Sequence, residues 1–201
     1  MGAAVLGVRD HCGWAMLVAV GGTPESPEVL LRERVTLLDD PALPGQPYHA
    51  AAGLALDAAS ALIARVEQAA RTAARDALAT AAGHLTEAGH HILGVALDLG
   101  AVGGGRMTLP ADLATVLSKH HYLHGAEGEL YHEALMEAAR GVRPAVSRYD
   151  FKELRATAVR LLGPGVVERV DGLRAQVDPP WSRDHKDAAL AALLMLTAKA
   201  L

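Results

Sequence analysis

Two short apolar runs, over 3–8 and 14–20, open the chain on either side of Arg9-Asp10-His11-Cys12-Gly13. That pattern predicts two strands around a tight, glycine-containing turn. A third strand is expected over 29–38, where Val29-Leu30-Leu31-Arg32-Glu33-Arg34-Val35 alternates imperfectly before Asp39-Asp40-Pro41. Pro41, Pro44, Gly45 and Pro47 then make a connector. From His49 to about Ala88 the period becomes helical, with Leu54, Leu62, Val66, Ala70, Ala73, Leu78 and Leu85 along one stripe. One helix of that length would reach roughly 60 Å, so a break is expected near Gly53 or around 71–75.

Beyond Gly89, Ile92-Leu93-Gly94-Val95-Ala96-Leu97 is a continuous apolar run ending in Asp98, the signature of a buried, parallel strand. A glycine-rich loop over 100–105 leads to a helical segment over 109–118 and a histidine-rich connector over 119–125. A helix is expected over 126–140, a fifth strand over 144–149, and helices over 153–162, 166–175 and 184–201. The order is βββαβαβα. Strands that each arrive after a helix require a mixed, five-stranded sheet with helices packed on it, an α/β domain filling 1–201.

Composition narrows the class. Hydrophobic residues make up 51% of the chain and aromatics 3%, so the core must be Ala, Leu and Val. The single cysteine, Cys12, excludes a disulfide scaffold and fits a reducing compartment, with the cytoplasm the expected location. No uncharged apolar stretch approaches the ~20 residues that span a membrane. A net charge of −4 argues against a surface generally coated with nucleic acid, while leaving room for a local basic groove. The Ala-rich segment 49–88 offers a close-packing surface on which a homodimer could form.

Four acids carry the first chemical hypothesis. Asp10 ends the first strand, Asp98 ends the fourth, and Asp184 and Asp187 share one face at the start of the last helix. Four converging carboxylates can hold two divalent cations about 3.5–4 Å apart and activate water for attack on a phosphodiester, and carboxylates suit Mg²⁺ or Mn²⁺. The element order, with the ending Asp184-His185-Lys186-Asp187-Ala188-Ala189-Leu190 and the opening Gly7-Val8-Arg9-Asp10-His11-Cys12-Gly13-Trp14, resembles the RNase H-like superfamily, nearest RuvC-type Holliday-junction resolvases and related nucleases.

The resemblance implies a metal-dependent nuclease acting on nucleic acid, with Asp10, Asp98, Asp184 and Asp187 as catalytic metal ligands. Two departures stand out. Asp10 falls one residue later than the pattern's acid, with Arg9 in its slot, and the fourth-strand acid is Asp rather than Glu. The displaced Asp10 and the acidic net charge favour an alternative from another class, an RNase H-like binding module without catalysis, whereas Asp98, Asp184 and Asp187 favour the nuclease. The individual acids also have plainer explanations: Ser182 or Asp184 as a helix cap, Asp187 drawn to the helix N-terminus, and Asp10 as a turn residue.

A second cluster, His120, His121, His124, Glu127, Glu129, His132 and Glu133, lies within fourteen residues. If the segment is helical, His120, His124 and Glu127 share a face at i, i+4, i+7, a transition-metal arrangement. Gly125 and Gly128 argue against a continuous helix there. Glu129 with His132, or His124 with Glu127, would alternatively serve as acid–base pairs. The run 120–133 is expected beside the four acids, with Glu127 or Glu129 supplementing Asp98 and His124 gripping a phosphate or shuttling a proton. The glycines of 100–105 lack the Lys-Ser/Thr of a P-loop.

Overall fold

The computed structural model describes residues 2–142 and 145–200. It is built on one five-stranded sheet: β1 (Gly2–His11), β2 (Trp14–Gly22), β3 (Pro27–Thr36), β4 (His90–Asp98) and β5 (Val146–Tyr149), in the order β3-β2-β1-β4-β5. β1, β2 and β3 form an antiparallel meander; β4 pairs with β1, and β5 with β4, in parallel. This is the expected mixed sheet, with β1 in the middle. Pro144, the expected start of the fifth strand, lies outside the described residues.

Helices cover both faces. α1 (Pro47–Ala51), α2 (Leu56–Glu87), α3 (Leu113–Leu117) and α4 (His120–Val142) lie on one side; α5 (Leu154–Leu162), α6 (Val166–Gly172) and α7 (Arg183–Ala200) lie on the other. Strand alternation divides the core accordingly. Leu6 and Val8 of β1 pack toward α2 and α4, whereas Val5 packs toward α7. The long helical stretch breaks between Ala51 and Leu56 and nowhere near 71–75. The 32 residues of α2 run unbroken for roughly 48 Å because Ala59, Ile63, Val66, Ala70, Ala74, Leu78, Ala81 and Leu85 bury a continuous stripe. Leu54, expected in that stripe, is instead exposed in the break.

Two local features position the chemistry. β1 pairs with β2 as far as His11↔Trp14, so the turn is only Cys12-Gly13, and Arg9, Asp10 and His11 are strand residues whose side chains alternate. α7 docks directly on β1: a Cβ at Gly7 would collide with the carbonyl oxygen of Ala188, so this approach requires glycine.

One expectation needs correction. The segment 119–125 is not a connector, since α4 begins at His120 and passes through Gly125 and Gly128 without interruption. Each helical glycine costs about 1 kcal/mol relative to alanine. Burial of Leu123, Ala126, Leu130, Tyr131 and Leu135 outweighs that penalty. The Met107 thioether packs into the space that Gly125 leaves open, where a Cβ would meet its sulfur.

Candidate functional site

The carboxyl ends of β1 and β4 are adjacent because the strands are parallel neighbours, which brings Asp10 and Asp98 to the same edge of the sheet. What stands between them is Arg9. Its Nη1 lies 3.2 Å from Asp10 Oδ1 and 3.8 Å from Asp98 Oδ2, and its guanidinium lies over the Phe151 ring at 4.4 Å. Arg106, from the loop after β4, adds a second cation, 3.6 Å from Asp98 Oδ2 and 2.9 Å from Asp150 Oδ1. The Leu99 amide donates to Asp98 Oδ1 at 2.7 Å.

The two helical acids divide. Asp187 is buried at the near end of α7 and meets Arg155 at 3.8 Å and Arg183 at 3.4 Å, and the Arg9 charge also reaches it. Asp184 pairs with His11 Nε2 at 3.3 Å, on the side of the β1–β2 turn. Ser182 holds His185 through a 2.7 Å contact between its hydroxyl and Nδ1. Asp10, Asp98 and Asp187 therefore gather around Arg9, with Asp184 set apart on His11.

On the opposite face of β1, Asp10 Oδ2 meets His132 Nδ1 of α4 at 2.9 Å. The second half of the 120–133 run thus does lie beside the acids, through His132 rather than His124. Glu129 turns to the loop after β4, where its Oε2 accepts weakly from the Val102 amide at 3.4 Å. Glu127 is completely buried and faces His49 of α1 at 2.8 Å. His49 carried no sequence signal. It lies 78 residues before Glu127, and only the packing of α1 and α4 joins them.

The electrostatics follow from burial and pairing. Burial pushes the Asp10 carboxyl up, yet the His132 hydrogen bond and charge, aided by Arg9, hold it below its usual value. Burial likewise opposes protonation of His132, and the Asp10 hydrogen bond and charge, with Glu129 and Glu133, raise it nonetheless. Asp98 is raised by burial and then by Asp10, against Leu99, Arg9 and Arg106. Asp187 is raised by burial against Arg155, Arg183 and Arg9. Tyr149, whose hydroxyl donates to the Val8 carbonyl at 2.8 Å beneath the acids, is raised well above its usual value, first by burial.

These residues do not present an open carboxylate nest to a divalent ion, because guanidinium groups already supply the opposite charge. Among the described residues, the one group of three His, Cys, Asp or Glu ligand atoms lying mutually within 4.8 Å is His49, His120 and His124.

The architecture is RNase H-like: a 3-2-1-4-5 mixed sheet with helices on both faces and acids at the ends of β1 and β4. Among solved structures, the chain is similar to a RuvC of T. thermophilus in complex with a Holliday junction substrate. The match has a TM-score of 0.55 and 14% identity, covering 98% of this chain and 96% of that one. A second Thermus thermophilus RuvC structure matches with a TM-score of 0.54 at the same identity and coverage. No family model matches the chain, and no curated protein does. Among the described residues, no helix is long and apolar enough to cross a membrane.

Proposed function

We propose that this protein is a nucleic-acid-binding module of RNase H-like fold that does not cleave, with Arg9 standing where a metal-dependent nuclease holds its cation. The observation that carries the reading is the Arg9 guanidinium, 3.2 Å from Asp10 and 3.8 Å from Asp98. A guanidinium neutralises carboxylates as a divalent ion would, but it is neither a Lewis acid nor able to lower the pKa of a bound water. Asp98, Asp187 and Asp10 then set the position of Arg9 instead of holding Mg²⁺ or Mn²⁺.

The ligand would be the sugar–phosphate backbone. Arg183 and Arg155 pair with Asp187 from exposed positions, their side chains 74% and 46% accessible, so they can turn to a phosphate at little cost. Arg148, in β5, and Lys152, just after it, are exposed as well. Likeness in fold to a RuvC bound to a Holliday junction supports testing a branched duplex first.

The experiment is a gel-shift and cleavage series on a four-way DNA junction and a plain duplex, with EDTA, Mg²⁺ and Mn²⁺. The expected result is binding without strand scission in all three conditions. Binding should weaken with salt, and the log–log slope should shrink by about 1 for each of Arg155→Ala and Arg183→Ala. Mn²⁺-dependent cutting abolished by Asp187→Asn would restore the nuclease reading, in which Arg9 swings out to admit metal among Asp10, Asp98 and Asp187. Absence of binding to either DNA would remove both.

A further inference from the structure

We propose that His49, His120 and His124 form a site for one transition-metal ion of the zinc class, with the buried carboxylate of Glu127 orienting His49. The site shares no residue with the nest around Arg9, so it stands or falls independently of the nucleic-acid reading.

Helix geometry supplies the first pair. His120 and His124 open α4 one turn apart on the same face, and their Nε2 atoms lie 3.1 Å from each other. Two nitrogens bound to one tetrahedral ion at 2.0–2.1 Å stand about 3.3 Å apart, so the pair is already close to a ligand edge. α1 brings the third ring to the same point. The His49 ring centroid is 5.2 Å from that of His120 and 4.5 Å from that of His124. One ligand nitrogen from each of the three lies within 4.8 Å of the others.

Glu127 is the independent observation. It is fully buried, its Oε1 accepting from the His49 backbone N–H at 3.1 Å and from the ring Nδ1 at 2.8 Å, while its Oε2 has no hydrogen-bond partner. A hydrogen bond at Nδ1 puts the proton there and leaves the Nε2 lone pair for a metal, the outer carboxylate–histidine arrangement common at zinc sites. A buried carboxylate is costly unless positive charge lies close by. A divalent ion one imidazole further out supplies that charge. The i, i+4, i+7 spacing marks Glu127 as a ligand in its own right; in the folded chain it supports a ligand that comes from α1.

Imidazole donors select zinc, cobalt, nickel or copper over magnesium. His120 and His124 are exposed, so the remaining coordination position opens to solvent, where water or an anionic ligand would complete the shell.

The test uses the full chain without a histidine tag, titrated with CoCl₂ and ZnCl₂ and followed by visible absorption and calorimetry. One equivalent of Co²⁺ should bind with d–d absorption of low coordination number, and Zn²⁺ should displace it. Changing both His120→Ala and His124→Ala, which are exposed and should leave the circular dichroism intact, should abolish the absorption. Glu127→Gln should weaken binding about 10–100-fold at unchanged stoichiometry. If that buried substitution unfolds the chain, His49→Gln, which removes the third ligand while leaving the α4 pair, should weaken binding further still, and undiminished affinity in it would overturn the proposal. No Co²⁺ absorption at micromolar metal, undiminished binding in the double variant, or displacement by Mg²⁺ as effective as by Zn²⁺ would each overturn the proposal.

Discussion

His132 and His124, eight residues apart on α4, face opposite kinds of partner. His132 is buried against the Asp10 carboxylate, inside a nest where Arg9, Arg106, Asp98 and Asp187 also meet. His124 is exposed and turns to two more imidazoles, with the nearby carboxylate, Glu127, bonded to His49 instead. In the first region opposite charges are matched within the protein, so each charge is spent holding the structure and orienting its neighbours. In the second, like donors converge without an acid among them. The difference teaches that density of titratable groups does not by itself mark a metal site; what matters is whether an opposite charge already occupies the space between the donors.

The comparison can be broken most forcefully at Arg9. Arg9→Met should remove the cation between two buried carboxylates and destabilise the fold by about 3 kcal/mol, a fall in melting temperature of roughly 6–12 °C. Arg9→Asp, which replaces the cation with a further carboxylate, should make the melting temperature rise with added Mg²⁺, whereas the unaltered protein should show no Mg²⁺ response. Mg²⁺ stabilisation of the unaltered protein would mean that the nest takes a metal despite its arginine.

The two packing glycines sharpen it next. Gly7→Ala should cost about 2–3 kcal/mol, because the obstacle is the backbone of Ala188 and α7 must shift, carrying Asp187 with it. Gly125→Ala should cost less than about 1 kcal/mol, since Met107 is flexible and alanine favours the helix. Equal losses in denaturant midpoint would show that α7 is not held as tightly as this contact implies.

The Asp10–His132 pair should give the region a pH signature. The raised pKa of His132 contributes stability in full below the ordinary histidine value of about 6.5, lost as pH rises through its folded value. The lowered pKa of Asp10 contributes above about 3.9, lost as pH falls through its folded value. Asp10→Asn should therefore cost most between about pH 4 and 6.5, on the order of 2 kcal/mol, with a narrowing gap above. A gap that widens from pH 6 to 9 in thermal melts would rule out this pairing. The smallest effect belongs to the histidines: His120→Ala, in chelator, should change stability by no more than about 0.5 kcal/mol.

Much of the fold was legible because its signals are local. Apolar runs of strand length and the change to a 3.6-residue period at residue 49 each depend on neighbouring residues, so five strands fall close to the expected runs, and the helical break falls at the first of its two expected places. The helical start of α4 did not read through, since glycine propensity pointed one way and burial of Leu123, Tyr131 and Leu135 decided the other. Of the candidate site, the acids at the ends of β1 and β4 were legible from strand ends and parallel pairing. Arg9 was visible as an oddity of position, but not as the centre of the group, and Arg106, Arg155 and Arg183 gave no sign of converging on it.

Sequence alone determined the strands, the helical periods, the mixed sheet and the placement of Asp10 and Asp98 at strand ends, because these follow from periodicity and chain connectivity. Tertiary structure decided which charges meet. The packing of α7 on Gly7 sets Asp187 near Arg9, and the packing of α1 on α4 joins His49 to His120, His124 and Glu127. Those contacts depend on how whole elements approach one another, a geometry that no spacing along the chain encodes.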